Sequence, residues 1–240
     1  GAGAVRVAQG GSFSDDGLIA GEGRLELSGT TSVAGDVTND GVIIATQSGA
    51  ALSVTGVLTI NGTIDGSVGA FSVGADVVRL AADAVVSDVI FDAEVENAGT
   101  LELGRDLTAA QDVTTLAGST TRVTAQIAGN GVDITNAGSF EIEAGAGLTG
   151  LGVLRNSNAM TIGAGAELTA QSIDNSGTLA IGAGGTLEGL GNTLDNSGTL
   201  TLADGASVLD AGAINNADGG LIRFDGSGTI AANLGDTDTA

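Results

Sequence analysis

The 240-residue chain has no Cys, Pro, His, Trp or Tyr, and all 7 of its basic residues are Arg, so Lys is missing too. Each absence excludes some chemistry. Without Cys there is no disulfide framework, and an ordinary core must hold the fold. Without His and Cys, the usual zinc sites, Ser-His-Asp and Cys-His nucleophiles, haem and iron–sulfur clusters are excluded. Without Lys there is neither a P-loop nor a Schiff base. Positive charge is scarce as well, with 29 carboxylates bringing the net charge to -22. Such a surface repels phosphates, so nucleic acid is not an expected partner. No apolar run reaches the length of a bilayer, so no transmembrane segment is expected. Gly1 to Gly10 carry no basic stretch and no long apolar one, so no signal peptide is expected there.

What the chain does contain is a repeat. An Asn followed by a small residue, Gly and Thr occurs at Asn175-Ser176-Gly177-Thr178 and again at Asn196-Ser197-Gly198-Thr199. Variants start at Asn97, Asn136, Asn156 and Asn216, and from Asn136 onward the steps are 20, 19, 21 and 20 residues. A copy with no Asn, Leu116-Ala117-Gly118-Ser119-Thr120, fills the wider gap after Asn97. Looser copies start at Asn61, Asn39 and Asp15. Apolar residues fall into columns around the anchor. Two residues before it stand Val95, Ile134, Leu154, Ile173, Leu194 and Ile214; four after it stand Leu101, Phe140, Met160, Leu179 and Leu200. Leu179-Ala180-Ile181 and Leu200-Thr201-Leu202 alternate with a period of two, the mark of a strand. Gly-Ala-Gly, Asn-Ser-Gly and Asp-Gly between them are turn chemistry.

No segment suits a helix, which disfavours ankyrin, tetratricopeptide and HEAT arrays, and the leucine-rich pattern is absent. The expected fold is all-β, a single-stranded parallel β-helix (β-solenoid) of about twelve coils of roughly 20 residues. At about 4.8 Å per coil it forms a rod of roughly 58 Å. Residues 1–240 read as one repeat domain, irregular over 1–94, regular over 95–230, with a polar tail at 231–240. A coil cannot bury its own apolar face, so its neighbours must stack on it. Stacked Asn97, Asn136, Asn156, Asn175, Asn196 and Asn216 are expected to form an amide ladder that satisfies polar groups at the corner. The lack of Pro leaves every backbone N–H free for pairing.

The corners IDNSGTLAIGAG (173–184), LDNSGTLTLADG (194–205) and VENAGTLELG (95–104) carry a family likeness. In them the chain resembles the β-helical passenger regions of autotransporters and filamentous-haemagglutinin-like adhesins of Gram-negative bacteria. The resemblance covers residues 95–230 clearly and the first 90 loosely. It implies a right-handed helix, an extracellular or bacterial cell-surface location, a non-catalytic structural or adhesive role, and host-cell or matrix glycans as partners. Residues 1–240 include no C-terminal membrane barrel of the autotransporter kind and no RGD triplet.

Carboxylates are the chemical groups left to consider. Asp15-Asp16, Glu94/Glu96 and Glu141/Glu143 would line the acidic cleft of the alternative function, a carbohydrate-binding or polysaccharide-cleaving β-helix. Glu141 and Glu143 flank Ile142 on an alternating strand, however, and so read as solvated surface. The residues just before each anchor form an outward column of Glu96, Thr135, Arg155, Asp174, Asp195 and Asn215. In it Arg155 is expected to pair with Asp174. Asp174 and Asp195 would stack as like charges, making them the Ca²⁺ candidates. Thr199/Thr201, Thr178/Ala180 and Ala159/Thr161 give only a broken Thr array, too irregular for an ice-binding face. Neither end carries a capping helix, so head-to-tail stacking on further copies of the chain is expected, which propagates as a filament.

Overall fold

The computed structural model describes residues 4–7, 18–19, 23–108, 112–217 and 219–236. All regular structure among them is β. Every strand pairs in parallel with its counterpart one repeat away, in two sheets of twelve and sixteen strands. Between strand Arg24–Leu27 and strand Leu221–Phe224 the chain completes about ten turns of a β-solenoid.

The coil starting at Thr178 shows the pattern. Strand Thr178–Ile181 belongs to the smaller sheet, and strands Thr186–Glu188 and Thr193–Asn196 belong to the larger one. The chain then returns to Thr199–Leu202, directly above its starting strand. In other coils the second and third segments fuse into one long strand, as in Phe71–Leu80, Gly147–Asn156 and Ser207–Asn216. Such fused strands carry register irregularities where the chain bends, between Leu148 and Leu151 for example.

Alternation decides what is inside. Thr178–Ile181 runs exposed, buried, half-buried, buried, and the inward residues stack on like residues: Leu179 on Leu200, Ile181 on Leu202. Leu148, Leu168, Leu187 and Val208 form another unbroken column, each fully buried. Three of the 5 Phe, Phe71, Phe91 and Phe140, also lie inside. One continuous apolar core results, shared by all coils, which no single coil could form alone.

The Gly of the anchor is required by close approach. A Cβ on Gly198 would lie 2.1 Å from the Gly177 carbonyl oxygen, and one on Gly177 would lie 2.1 Å from that of Asn158. The corner thus sits almost on the backbone of the coil below. The Gly-Ala-Gly corners work differently: Gly145, Gly165 and Gly184 have φ of 72°, 63° and 65°, in the left-handed region that glycine favours.

Two letter-based alignments shift in register. At Asn61-Gly62-Thr63 the residue in the anchor column is Ile60, between Asn39 and Leu80, and Asn61 follows it as an exposed residue. After Thr115 the turn to the next strand is longer, and Thr115 itself takes the anchor position between Asn97 and Asn136. The copy at Asp15 and the tail beyond 236 lie outside the described residues.

Leu190 has φ of 44° and is 40% exposed at the turn preceding Gly191. A branched side chain is disfavoured there, whereas Asn130 occupies the corresponding turn before Gly131 with φ of 50°. Leu190→Asn is expected to stabilise the fold by about 1 kcal/mol, read as a higher denaturant midpoint with an unchanged m-value. A lower midpoint would mean that Leu190 packs in a way its exposure does not reveal.

Candidate functional site

The anchor column is the longest organised array of polar side chains in the described residues. In register it runs Asn39, Ile60, Leu80, Asn97, Thr115, Asn136, Asn156, Asn175, Asn196 and Asn216. From Asn136 to Asn216 it is unbroken. Each Nδ2 donates to the Oδ1 of the next Asn: Asn136 to Asn156 at 2.8 Å, then Asn156 to Asn175, Asn175 to Asn196 and Asn196 to Asn216, each at 2.7 Å. The second Nδ2 proton bonds a backbone carbonyl of the following coil, such as Thr178 O for Asn156 or Thr199 O for Asn175. Asn136, Asn156, Asn175 and Asn196 are at most 1% exposed. At the lower end Asn136 Oδ1 accepts from the Gly138 amide, and at the upper end Asn216 Nδ2 donates to Gly220 O. The run is therefore polar, with every donor pointing toward the C-terminal coils.

Asn97 is separated from this run by Thr115 and uses other partners. Its Oδ1 accepts from the Gly99 amide, and its Nδ2 donates to Thr120 O and Thr121 Oγ1, both at 2.9 Å. Thr121 occupies an otherwise apolar inward column, between Leu101 and Phe140, and its hydroxyl also meets Thr115 Oγ1 at 3.0 Å. Two buried threonines thus do at this rung what one Asn does elsewhere. Asn39, flanked above by Ile60, donates to Gly41 O, and its buried Oδ1 finds no partner among the described residues.

Several aspartates at the bends are structural acceptors, a role that composition does not suggest. Asp36, Asp112 and Asp133 each take the backbone N–H of a residue one coil up: Val57, Asp133 and Val153 respectively. Asp106 does the same for Ala128. Asp204 accepts from both Oγ and N of Ser227, and these bonds hold its carboxyl below the ordinary Asp value. Such charge-assisted bonds tie successive coils together from outside the core.

Of the other carboxylates, Glu96 pairs with Arg79 at 2.7 Å and Glu141 with Arg122 at 3.6 Å, each across one rung and on the surface. Glu94 is exposed and Glu143 half-buried, while Asp15 and Asp16 lie outside the described residues. Asp174 and Asp195 are neighbours in register, with Arg155 below and Asn215 above. The expected Arg155–Asp174 pair does not form, because the Arg155 guanidinium turns to Asp133 at 3.4 Å. Asp133 offers the second carboxylate oxygen of a group already fixed by Val153 N. Asn215 Nδ2 donates to Asp195 Oδ1 at 2.7 Å. Among the described residues no three acidic side chains gather into a metal-holding group.

In comparisons with known proteins, no protein-family model matches the chain and no curated protein matches it significantly.

Two outcomes are expected here. Asn175→Ala removes one ladder bond on each side and leaves the buried Oδ1 of Asn196 without its donor, so it should cost about 2–4 kcal/mol. Ser176→Ala, beside it, should cost under about 0.5 kcal/mol. Equal effects in urea melts would contradict the ladder's role. Asp174→Asn replaces a stacked pair of like charges by an amide beside a carboxylate, and in EDTA it should raise the melting temperature slightly. A fall would mean that the Asp174 carboxylate has a partner of its own.

Proposed function

We propose that the chain is a non-catalytic structural or adhesive rod of an exported bacterial surface protein, holding an extended acidic face away from its point of attachment. The observation that carries this reading is the use of the recurring polar groups. The ladder Asn, the Asn97–Thr121 bond and the bend Asp all join one coil to the next. The outward columns, by contrast, change residue from rung to rung, as in Thr161, Ala180, Thr201 and Arg223. A rod needs a regular interior and tolerates a varied exterior, whereas a polysaccharide-cleaving groove needs a fixed local cluster of acid and base. The family likeness of the Asn-Ser-Gly-Thr corners supplies the surface location and glycans of host cells or matrix as partners. No described helix is long and apolar enough to cross a membrane.

End-to-end assembly belongs to the same proposal. Each rung offers the next two parallel sheet edges, and on the last strand of the smaller sheet the inward residues Ile222, half-buried, and Phe224, 48% exposed, lack the full cover that Leu200 and Leu202 have below them. A further rung of like geometry, contributed by a second copy, would cover them. Such contacts are heterologous and do not close. Calcium enters as a bridging counterion for stacked carboxylates such as Asp174 and Asp195.

Negative-stain microscopy of the purified chain, with calcium and with EDTA, tests the reading. The expected images are rods about 5–6 nm long that join into fibres one solenoid wide as concentration rises. Single rods under all conditions would remove the filament. Cleavage of pectin, alginate or a similar acidic polymer by the same preparation would overturn the non-catalytic role.

A further inference from the structure

The register shift at the third described corner has a chemical consequence. The chain holds 13 Asn, and one alone stands in an Asn-X-Ser/Thr triplet with X other than Pro: Asn61-Gly62-Thr63. That triplet is the acceptor sequence for N-linked glycans. In the regular corners the Asn is sealed in the ladder, where no sugar could be attached without dismantling several coils. Here Ile60 takes the inward position, and Asn61, one residue later, is exposed. Among the described residues its Nδ2 makes a single hydrogen bond, to Asp40 Oδ1 of the coil below at 2.7 Å.

The geometry points to Asn61 as the one N-glycan acceptor of this chain. In the transfer, Nδ2 forms a bond to the anomeric carbon of an activated sugar. The bond from that carbon to its diphosphate-bearing carrier breaks, one amide proton is lost, and the carrier leaves. The secondary amide that results keeps one N–H, enough to retain the bond to Asp40. The folded corner therefore accommodates the sugar with its interactions intact.

Folding also fixes the order of events. The backbone N–H groups of Asn61 and Gly62 bond Asn39 O at 2.8 and 3.1 Å, and that of Thr63 bonds Gly41 O at 2.9 Å. A Cβ on Gly62 would lie 2.0 Å from Gly41 O, so the corner is pressed onto the coil below. A transferase must reshape the triplet around its own active site, and a triplet clamped at three successive N–H groups resists that. Transfer precedes folding of this corner, and the finished rod then carries the glycan outward. This inference rests on the export part of the proposed function but not on adhesion or filament formation.

The test is secretion of the chain from cultured animal cells, whose secretory pathway supplies the transferase and the lipid-linked sugar. Intact mass and peptide mapping should show one glycan, on the peptide containing Asn61. It should be absent from Asn61→Gln and Thr63→Ala and kept in Thr63→Ser and Asn130→Gln. The glycosylated chain should melt within a few degrees of Asn61→Gln, both showing the same β circular-dichroism spectrum. Bacterially made protein should accept sugar from the same transferase in vitro after denaturation and not while folded. A secreted wild-type chain without sugar at Asn61, or with sugar at another Asn, would overturn the assignment. So would secretion of Asn61→Gln alone, since the folded corner would then reject the glycan. Failure on any of these counts leaves the rod and its microscopy untouched.

Discussion

A coil of about twenty residues here has two sides that face solvent or core and two that face other coils, and the second pair governs the structure. A polar group that a corner buries needs a partner in its own corner or in the coil above or below, and among the described corner groups Asn39 Oδ1 goes without one. The Asn136–Asn216 run meets this demand with one residue type, since a primary amide both donates and accepts along the stacking direction. The same vertical matching places Leu179 on Leu200 and Ile181 on Leu202. Register is therefore set twice, once by apolar columns and once by the amides, and a slip of one residue would break both.

The first third of the described chain meets the demand in another way. Ile60 and Leu80 occupy the anchor column above Asn39, so no amide needs a partner at those two rungs, and the corner there is held by apolar contact and backbone bonds. Asn97, Thr115 and Thr121 make the transition between the two solutions. The buried Thr121 hydroxyl, in its apolar column, is satisfied by a second hydroxyl and an amide. The acidic composition has a structural share as well: Asp36, Asp106, Asp112 and Asp133 accept backbone N–H groups of the coil above where the chain bends.

The fold was legible in the sequence because stacking repeats the same environment at nearly equal intervals. Columns such as Leu148, Leu168, Leu187 and Val208 are visible in the letters and real in the register. What could not be read lies where letters and environment part. Asn61 matches the anchor motif by its neighbours, yet Ile60 has the inward place, and only the pairing with Asn39 and Leu80 reveals it. Thr115 serves in the anchor column without resembling an anchor. Arg155 chose Asp133 over the adjacent Asp174 because the bend brings an already oriented carboxylate within reach, a choice that depends on side-chain direction and not on spacing.

Exchange of the Asn side-chain amide protons with solvent, followed by nuclear magnetic resonance, tests the central claim most directly. Buried, doubly hydrogen-bonded amides open only when coils separate, so the Nδ2 protons of Asn156, Asn175 and Asn196 should exchange with the slowest core backbone amides. Those of the exposed Asn61 and Asn158, each held by one surface hydrogen bond, should exchange far faster. Fast exchange at Asn175 in a folded chain would contradict the account, because the amide column would then not be what joins these coils.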